Sequence, residues 1–190
     1  MLTDRYELAM LGAYLREGIA QRRAVFELSL RKLPRHRRFL VVSGIDRIVR
    51  YLQTLRFEPA EIEYLAAAPG LRDVMTPEVI GYLQDFRFRG NLDAMREGEV
   101  AFGGEPLLRV ESTLAEAQIL ETFLLGVINH ETKVATKTAR VVLATGGRPV
   151  FEFGARRIDP ESSPYAARAA WIAGAVIPVD GGWMANGGPE

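Results

Sequence analysis

From residue 150 onward an apolar run, Val150 to Phe153, is followed by an alanine-rich helical pattern, Tyr165 to Ala173, and a second apolar run, Ala175 to Val179. Strand, helix, strand in that order is the opening of a β/α unit, whose strands run parallel and place functional groups at their C-terminal ends. The first run delivers Phe153-Gly154-Ala155-Arg156-Arg157. A planar ring, a close backbone approach and two fixed cations suit a flat heteroaromatic molecule that must meet a phosphate-rich one. A strand ending in Gly-x-Arg-Arg is common, however, and most such arginines stand in solvent.

Upstream the pattern is mixed. Asp4 and Glu7 stand at capping-box spacing, and Tyr6, Met10, Ala13 and Tyr14 form one apolar face, which predicts a helix over 4–17 that Gly18 ends. Ala24 to Leu30 alternates, with Val25, Glu27 and Ser29 on one side and Phe26, Leu28 and Leu30 on the other, as in a half-buried strand. Phe39 to Val42 continues the sheet pattern, and Gly44 leads into a helix carrying Ile45, Ile48, Val49 and Leu52. Pro59, Pro69 and Pro77 divide the next stretch into two or three short helices ending near Phe86. Two apolar runs, Val100 to Phe102 and Pro106 to Val110, flank Gly103-Gly104 and predict a β-hairpin. Two helices come next, Leu114 to Val127 and Lys133 to Ala144; both are apolar over more than half their circumference and are expected between layers of the fold.

Composition narrows the function classes. The 24 basic and 24 acidic side chains cancel, so no overall field draws the molecule to nucleic acid or to an anionic membrane. Any anion must be bound locally. The cluster Arg31, Lys32, Arg35, His36, Arg37 and Arg38 is either a solvated loop or a phosphate-binding edge. Cysteine is absent, which removes disulfides and thiolate chemistry and points to a reducing compartment. His36 and His130 are too far apart for a local metal pair, so no metal site is expected. No run reaches the roughly 20 apolar residues of a membrane-spanning helix. Asp4 and Glu7 make the N-terminus unlike a signal peptide, and a cytoplasmic location is the resulting expectation.

Several short motifs occur in a fixed order: Leu2-Thr3-Asp4-Arg5-Tyr6-Glu7, Arg31-Lys32-Leu33-Pro34, Phe39 to Gly44, Glu97-Gly98-Glu99-Val100, Glu105 to Val110, Ala135 to Arg140, and Glu152-Phe153-Gly154-x-Arg156-Arg157. Together they resemble the nicotinate phosphoribosyltransferases over residues 2 to about 174. The resemblance implies an α+β N-terminal domain over 1–147 and, over 148–174, the start of an incomplete α/β (TIM-like) barrel, with 175–190 an atypical tail. It also implies an enzyme of NAD salvage that joins nicotinate to phosphoribosyl pyrophosphate, a glycosyltransferase reaction that full-length members couple to ATP, as in a ligase. Nicotinate and phosphoribosyl pyrophosphate would be its partners and Mg2+ and ATP its cofactors, although nothing in the chain recognisably encodes either cofactor.

The same resemblance implies the site residues. Tyr6 and Phe153 would hold the nicotinate ring between them, with Tyr6 reaching it from the neighbouring subunit of a homodimer. Arg156 would grip a carboxylate or phosphate, with Arg157 beside it, and Lys137 and Arg140 would contact phosphate. Without the family, Tyr6 with Met10 one turn on is core, and Thr136, Lys137 and Arg140 can converge on one side of their helix. Asp4 either orients the ring nitrogen or caps its helix.

The chain also departs from the family. Neither His36 nor His130 matches the histidine that ATP phosphorylates, so the catalytic residue is unassigned. Ala175-Val176-Ile177-Pro178-Val179-Asp180-Gly181-Gly182-Trp183 resembles the tail of short-chain dehydrogenases. Against that reading, no glycine-rich nucleotide turn is present, and Tyr165 lacks a lysine four residues on. A non-catalytic fragment, or a subunit that needs a partner chain, is the main alternative to the enzyme.

Overall fold

The alternation of Arg23–Ser29 folds as β1, with side chains exposed and half-buried in turn. β1 pairs antiparallel with the later strand Pro106–Thr113, Arg23 opposite Thr113 and Leu28 opposite Leu108. That later strand also pairs with Asn91–Ala94, a strand with no apolar alternation to announce it. In chain order the strands are β1 (Arg23–Ser29), β2 (Leu40–Val41), β3 (Asn91–Ala94), β4 (Val100–Ala101) and β5 (Pro106–Thr113). β1-β5-β3 form one sheet and β2-β4 another. The helices are α1 (Arg5–Arg16), α2 (Ile45–Thr54), α3 (Pro59–Ala67), α4 (Pro77–Gln84), α5 (Leu114–Ala144) and α6 (Ser163–Ile172). The fold is therefore mixed helix and sheet.

This computed structural model describes residues 3–177. Leu2 and the Pro178 to Trp183 part of the tail motif lie outside the described residues. The chain divides into two units: Met1–Ser29, Asp46–Ala94 and Pro106–Val127 form the first, and Leu30–Ile45, Met95–Glu105 and Ile128–Glu190 the second. Among the described residues no helix is long and apolar enough to cross a membrane.

In the first unit Pro59 and Pro77 stand at the first turns of α3 and α4, where a missing N–H costs nothing. Helix α1 buries Leu8, Leu11 and Glu7. The expected apolar face of Tyr6, Met10, Ala13 and Tyr14 is therefore rotated, with Tyr6 and Met10 exposed. A buried carboxylate among the core positions is what the hydrophobic pattern could not anticipate. Phe57 and Phe86 meet edge to face at 5.4 Å, and Tyr51 stacks on Phe123 at 3.5 Å.

In the second unit β2 and β4 pair antiparallel, and the bonds Val42 N–H to Glu99 O (3.0 Å) and Gly98 N–H to Val42 O (2.8 Å) extend the ladder. The predicted hairpin is thus corrected: its first run pairs with β2, and its second run with β1 and β3. The turn does form, with Phe102 N–H donating to the Glu105 carboxylate at 2.8 Å. Gly104, at φ 89°, donates instead to Leu30 O at 2.8 Å, so the chain turns without the two runs closing on each other. A small apolar core gathers Val41, Ala135 and Ala169, with Phe39, Val134, Ala139 and Ala173 against it.

The two predicted helices at 114–127 and 133–144 are one, the 31-residue α5. The polar stretch Asn129 to Thr132 looks like a break, yet it holds no glycine or proline, and Glu131 and Thr132 are buried. The predicted strands at 150–153 and 175–179 reduce, among the described residues, to one parallel bridge between Phe151 and Val176. Two bonds hold it, Val176 N–H to Val150 O (2.7 Å) and Glu152 N–H to Val176 O (3.1 Å). Beyond it the Gly154 N–H is taken by the Glu152 carboxylate, and the chain curls into a 3₁₀ turn over Gly154–Arg157.

One close approach fixes the first sheet's edge. A Cβ at Gly90 would lie 2.5 Å from Glu111 O and 2.6 Å from Ser112 Cβ on β5, where backbone cannot give way cheaply. Gly90→Ala is expected to destabilise the chain by about 1–3 kcal/mol. Thermal unfolding followed by circular dichroism measures this, and an unchanged midpoint would show that β3 can move off β5.

Candidate functional site

The Thr3 to Glu7 motif is spent on a single junction. Glu7, with no exposed surface, accepts the Thr3 hydroxyl and the Asp4 N–H (3.0 Å) on one oxygen and the Thr122 N–H (2.8 Å) on the other. Asp4 occupies the N-cap position of α1, and its carboxylate accepts the Thr122 hydroxyl at 2.8 Å. Three donors offset the cost of removing a carboxylate from water. The first turn of α1 is thereby bolted to the third turn of α5.

Tyr6 projects from that turn with 44% of its surface exposed, so it is not core. Partial burial and the neighbouring carboxylates of Glu121, Glu7 and Asp4 push its pKa up to about 12. The phenol is therefore a firm donor at neutral pH. Glu121 accepts from Gln118 Nε2 at 2.8 Å, and Gln118 Oε1 accepts from the Tyr14 hydroxyl at 3.3 Å.

The remaining candidates lie in the second unit. Phe153 is 55% exposed at the head of the 3₁₀ turn, its ring 6.2 Å from that of Phe151. Arg156 and Arg157 come next on the turn, both exposed. On α5, Lys137 and Arg140 are exposed together with Lys133, one stripe at helical spacing. Thr136 does not join them: it is fully buried, accepting the Val41 N–H at 3.0 Å and donating to Thr132 O at 2.6 Å. The expected convergence of Thr136 with Lys137 and Arg140 is thus corrected, because a hydroxyl that can satisfy a buried strand N–H is drawn inward. Among the described residues no ion pair joins Lys137, Arg140, Arg156 or Arg157 to a carboxylate.

The second unit also holds a polar lattice that sequence reasoning missed. Thr132 Oγ1 accepts the Ser43 N–H (3.2 Å) and donates to Ser43 O (3.1 Å). Gly44, at φ 105°, donates its N–H to Glu97 at 2.8 Å, and Arg168 forks onto the same carboxylate at 3.0 and 2.5 Å. Glu97 opens one of the family-like motifs, but no spacing links it to Arg168 on α6. His36 is exposed, and His130 Nε2 is buried without a hydrogen-bond partner among the described residues.

Comparison with known proteins decides the family. The family model for the nicotinate phosphoribosyltransferase N-terminal domain matches residues 1–129. The chain belongs to the nicotinate phosphoribosyltransferase family. It is 45% identical over 174 residues to nicotinate phosphoribosyltransferase pncB1 of Mycobacterium tuberculosis, covering 92% of this chain and 38% of the relative. It is 38% identical over 180 residues to a nicotinate phosphoribosyltransferase of Bacillus subtilis, covering 90% of this chain and 34% of the relative. The crystal structure of human nicotinic acid phosphoribosyltransferase superposes with a TM-score of 0.84 at 31% identity, over 100% of this chain and 38% of the other. A nicotinate-nucleotide pyrophosphorylase from Pyrococcus furiosus shares the fold, with a TM-score of 0.71 at 24% identity over 98% of this chain and 39% of the other. The chain spans a little over a third of the length of these relatives.

Among the described residues no three His, Asp or Glu side chains stand together in a way that could hold a metal ion. An open groove of about 660 Å3 in the first unit, lined by residues such as Gln21, Tyr82, Arg87 and Glu116, includes none of the candidates of this family.

Tyr6, Tyr51 and Tyr82 are all pushed up to about 12, chiefly by burial. A phenol that ionises near 10 in the unfolded chain and near 12 in the folded one stabilises the fold fully below pH 10 and loses that contribution as the pH rises to 12. The unfolding midpoint is expected to fall across that window, and less steeply in Tyr51→Phe. Equilibrium denaturation at stepped alkaline pH checks it; identical slopes for the two proteins would remove Tyr51 as a cause.

Proposed function

We propose that this chain takes part in transfer of a phosphoribosyl group to nicotinate, forming nicotinate mononucleotide from phosphoribosyl pyrophosphate in NAD salvage. Membership of the nicotinate phosphoribosyltransferase family carries the reading. Family motifs that leave rings and cations exposed support it. Tyr6 and Phe153, two large apolar rings that a purely structural motif would bury, stand 44% and 55% exposed.

In this reading the two rings flank the pyridine, with Tyr6 supplied by the second copy in a homodimer. Arg156 takes the substrate carboxylate or a phosphate in a forked, charge-assisted contact, and Arg157, Lys137 and Arg140 add positive charge for the phosphates. The transition state carries cationic character at the sugar and growing negative charge on the leaving pyrophosphate, so positioning and charge stabilisation are the protein's main contributions. The parallel bridge at Phe151 and Val176, with α6 between, is consistent with the first step of an α/β barrel.

A second reading, a portion that needs a partner chain, is favoured by Leu143 and Trp171, which are 72% and 62% exposed in the second unit. Gel filtration separates the two: a monodisperse dimer supports a self-sufficient assembly, and aggregation supports the missing partner. The activity test is direct, product formation from labelled nicotinate and phosphoribosyl pyrophosphate. Arg156→Ala is expected to weaken substrate engagement by about 1–3 kcal/mol, the scale of a lost charged hydrogen-bond partner. An unchanged kcat/KM would take Arg156 out of the site.

A further inference from the structure

The exposed ring and cations of the Gly154–Arg157 turn are only as well placed as the helix that follows them. Helix α6 packs against that turn, and its buried positions are Ala166, Ala169 and Ala170. Methyl groups give a helix a shallow face, so their burial holds α6 down without fixing how far it slides or rolls. A directional contact comes from Arg168, whose guanidinium forks onto the Glu97 carboxylate, Nη1 to Oε1 at 3.0 Å and Nη2 to Oε2 at 2.5 Å. We propose that Glu97 is a positioning residue for Phe153 and Arg156: by gripping Arg168 it sets the place of α6, and through α6 the place of the turn that presents the ring and the cation. This rests on the reading of Phe153 and Arg156 as contacts for nicotinate or phosphate.

Both ends of this grip are fixed. Glu97 stands in a tight turn, in which the Arg96 N–H donates to the Glu99 carboxylate at 2.9 Å and the Glu99 N–H to Arg96 O at 3.1 Å. The backbone bonds of Gly98 and Glu99 to Val42 tie that turn to the end of β2. Glu97 Oε1 also takes the Gly44 N–H at 2.8 Å, so the carboxylate is held from a second direction, and with its side chain only 15% exposed it is well shielded from water. On α6, Ile172 lies one turn beyond Arg168, and its Cγ2 is 3.6 Å from where a Cβ at Gly98 would stand, so one face of the helix meets both Glu97 and Gly98. At the other end of α6, Asp159 O accepts the Ser163 N–H at 3.1 Å and Asp159 Oδ1 the Ser162 N–H at 2.8 Å. Ile158 alone separates Asp159 from Arg157. The chain entering the turn is held by the bridge from Phe151 to Val176, four residues past the end of α6. A shift of α6 is thus passed to the turn from both sides.

The test uses the full chain, which has no cysteine of its own, so spin labels can be placed at Ala155→Cys on the turn and Val141→Cys on α5. The parent is expected to give a narrow distribution of distances between them, which shifts or widens by about 1.5 Å, one residue's rise along a helix, in Glu97→Gln and in Arg168→Gln. Arg168→Lys, which keeps the charge and one contact, is expected to fall between and covers the case in which the glutamine variants do not fold. Nicotinate affinity, measured calorimetrically on the unlabelled proteins, is expected to drop about five- to tenfold in Arg168→Gln and to recover in part in Arg168→Lys. A lowered unfolding midpoint with parental distances and parental affinity gives the pair a stabilising role alone and overturns the proposal. So do altered distances with parental affinity, because a turn that can move without cost to binding is not being placed for it. If Phe153→Ala and Arg156→Ala both bind nicotinate as the parent does, or the parent binds none, the reading of the site itself has failed, and the positioning role fails with it even where the labels show that Glu97 holds the turn.

Discussion

The buried Glu7 carboxylate is the contact on which the first unit's arrangement turns. A charge with no exposed surface persists only where donors replace its water, and Glu7 has three: the Thr3 hydroxyl, the Asp4 N–H and the Thr122 N–H. Two of these belong to the start of α1 and one to α5. The capping interaction of α1 and the docking of α1 on α5 are therefore one interaction. Apolar packing through Leu8 and Leu11 supplies non-directional burial, and the carboxylate supplies register. Tyr6 points where it does because the residue after it is immobilised.

How much of this was legible in the chain depends on whether the signal is local. Capping spacing at Asp4 and Glu7, the alternation of β1, and the prolines that open α3 and α4 are short-range patterns, and the elements they announce are present. The pairing of β4 with β2 and of β5 with β1 and β3 is long-range, so two apolar runs around Gly103-Gly104 looked like one hairpin. The unbroken α5 was hidden for the opposite reason. Its middle is polar, and what keeps it helical is that Glu131 and Thr132 are taken inside the fold, with Thr132 bonded to the Ser43 backbone.

The same division holds in the candidate site. Tyr6, Phe153 and Arg156 sit in the short motifs that carry the family resemblance. Gln118 and Arg168 sit in ordinary helical sequence and acquire roles only from partners far along the chain. Thr136 shows the reverse error: its place one helical turn before Arg140 suggested a converging surface group, yet a hydroxyl is small enough to be buried once it finds a backbone N–H.

Charge placement then constrains how a nicotinate could lie on Tyr6. The hydroxyl edge of that ring is surrounded by Asp4, Glu7 and Glu121, an environment hostile to another carboxylate. Arg5, the nearest cation in sequence, is turned toward Gly70, its guanidinium carbon 3.5 Å from where a Cβ would stand there. A stacked nicotinate would therefore keep its carboxylate away from this edge and require a cation from elsewhere. The zero net charge of the chain conceals where such cations are. Acidic residues outnumber basic ones in the first unit, and basic residues outnumber acidic ones in the second, which carries Lys133, Lys137, Arg140, Arg156 and Arg157. The acidic surroundings of Tyr6 and the exposed cations Lys133, Lys137, Arg140, Arg156 and Arg157 thus belong to different parts of the chain.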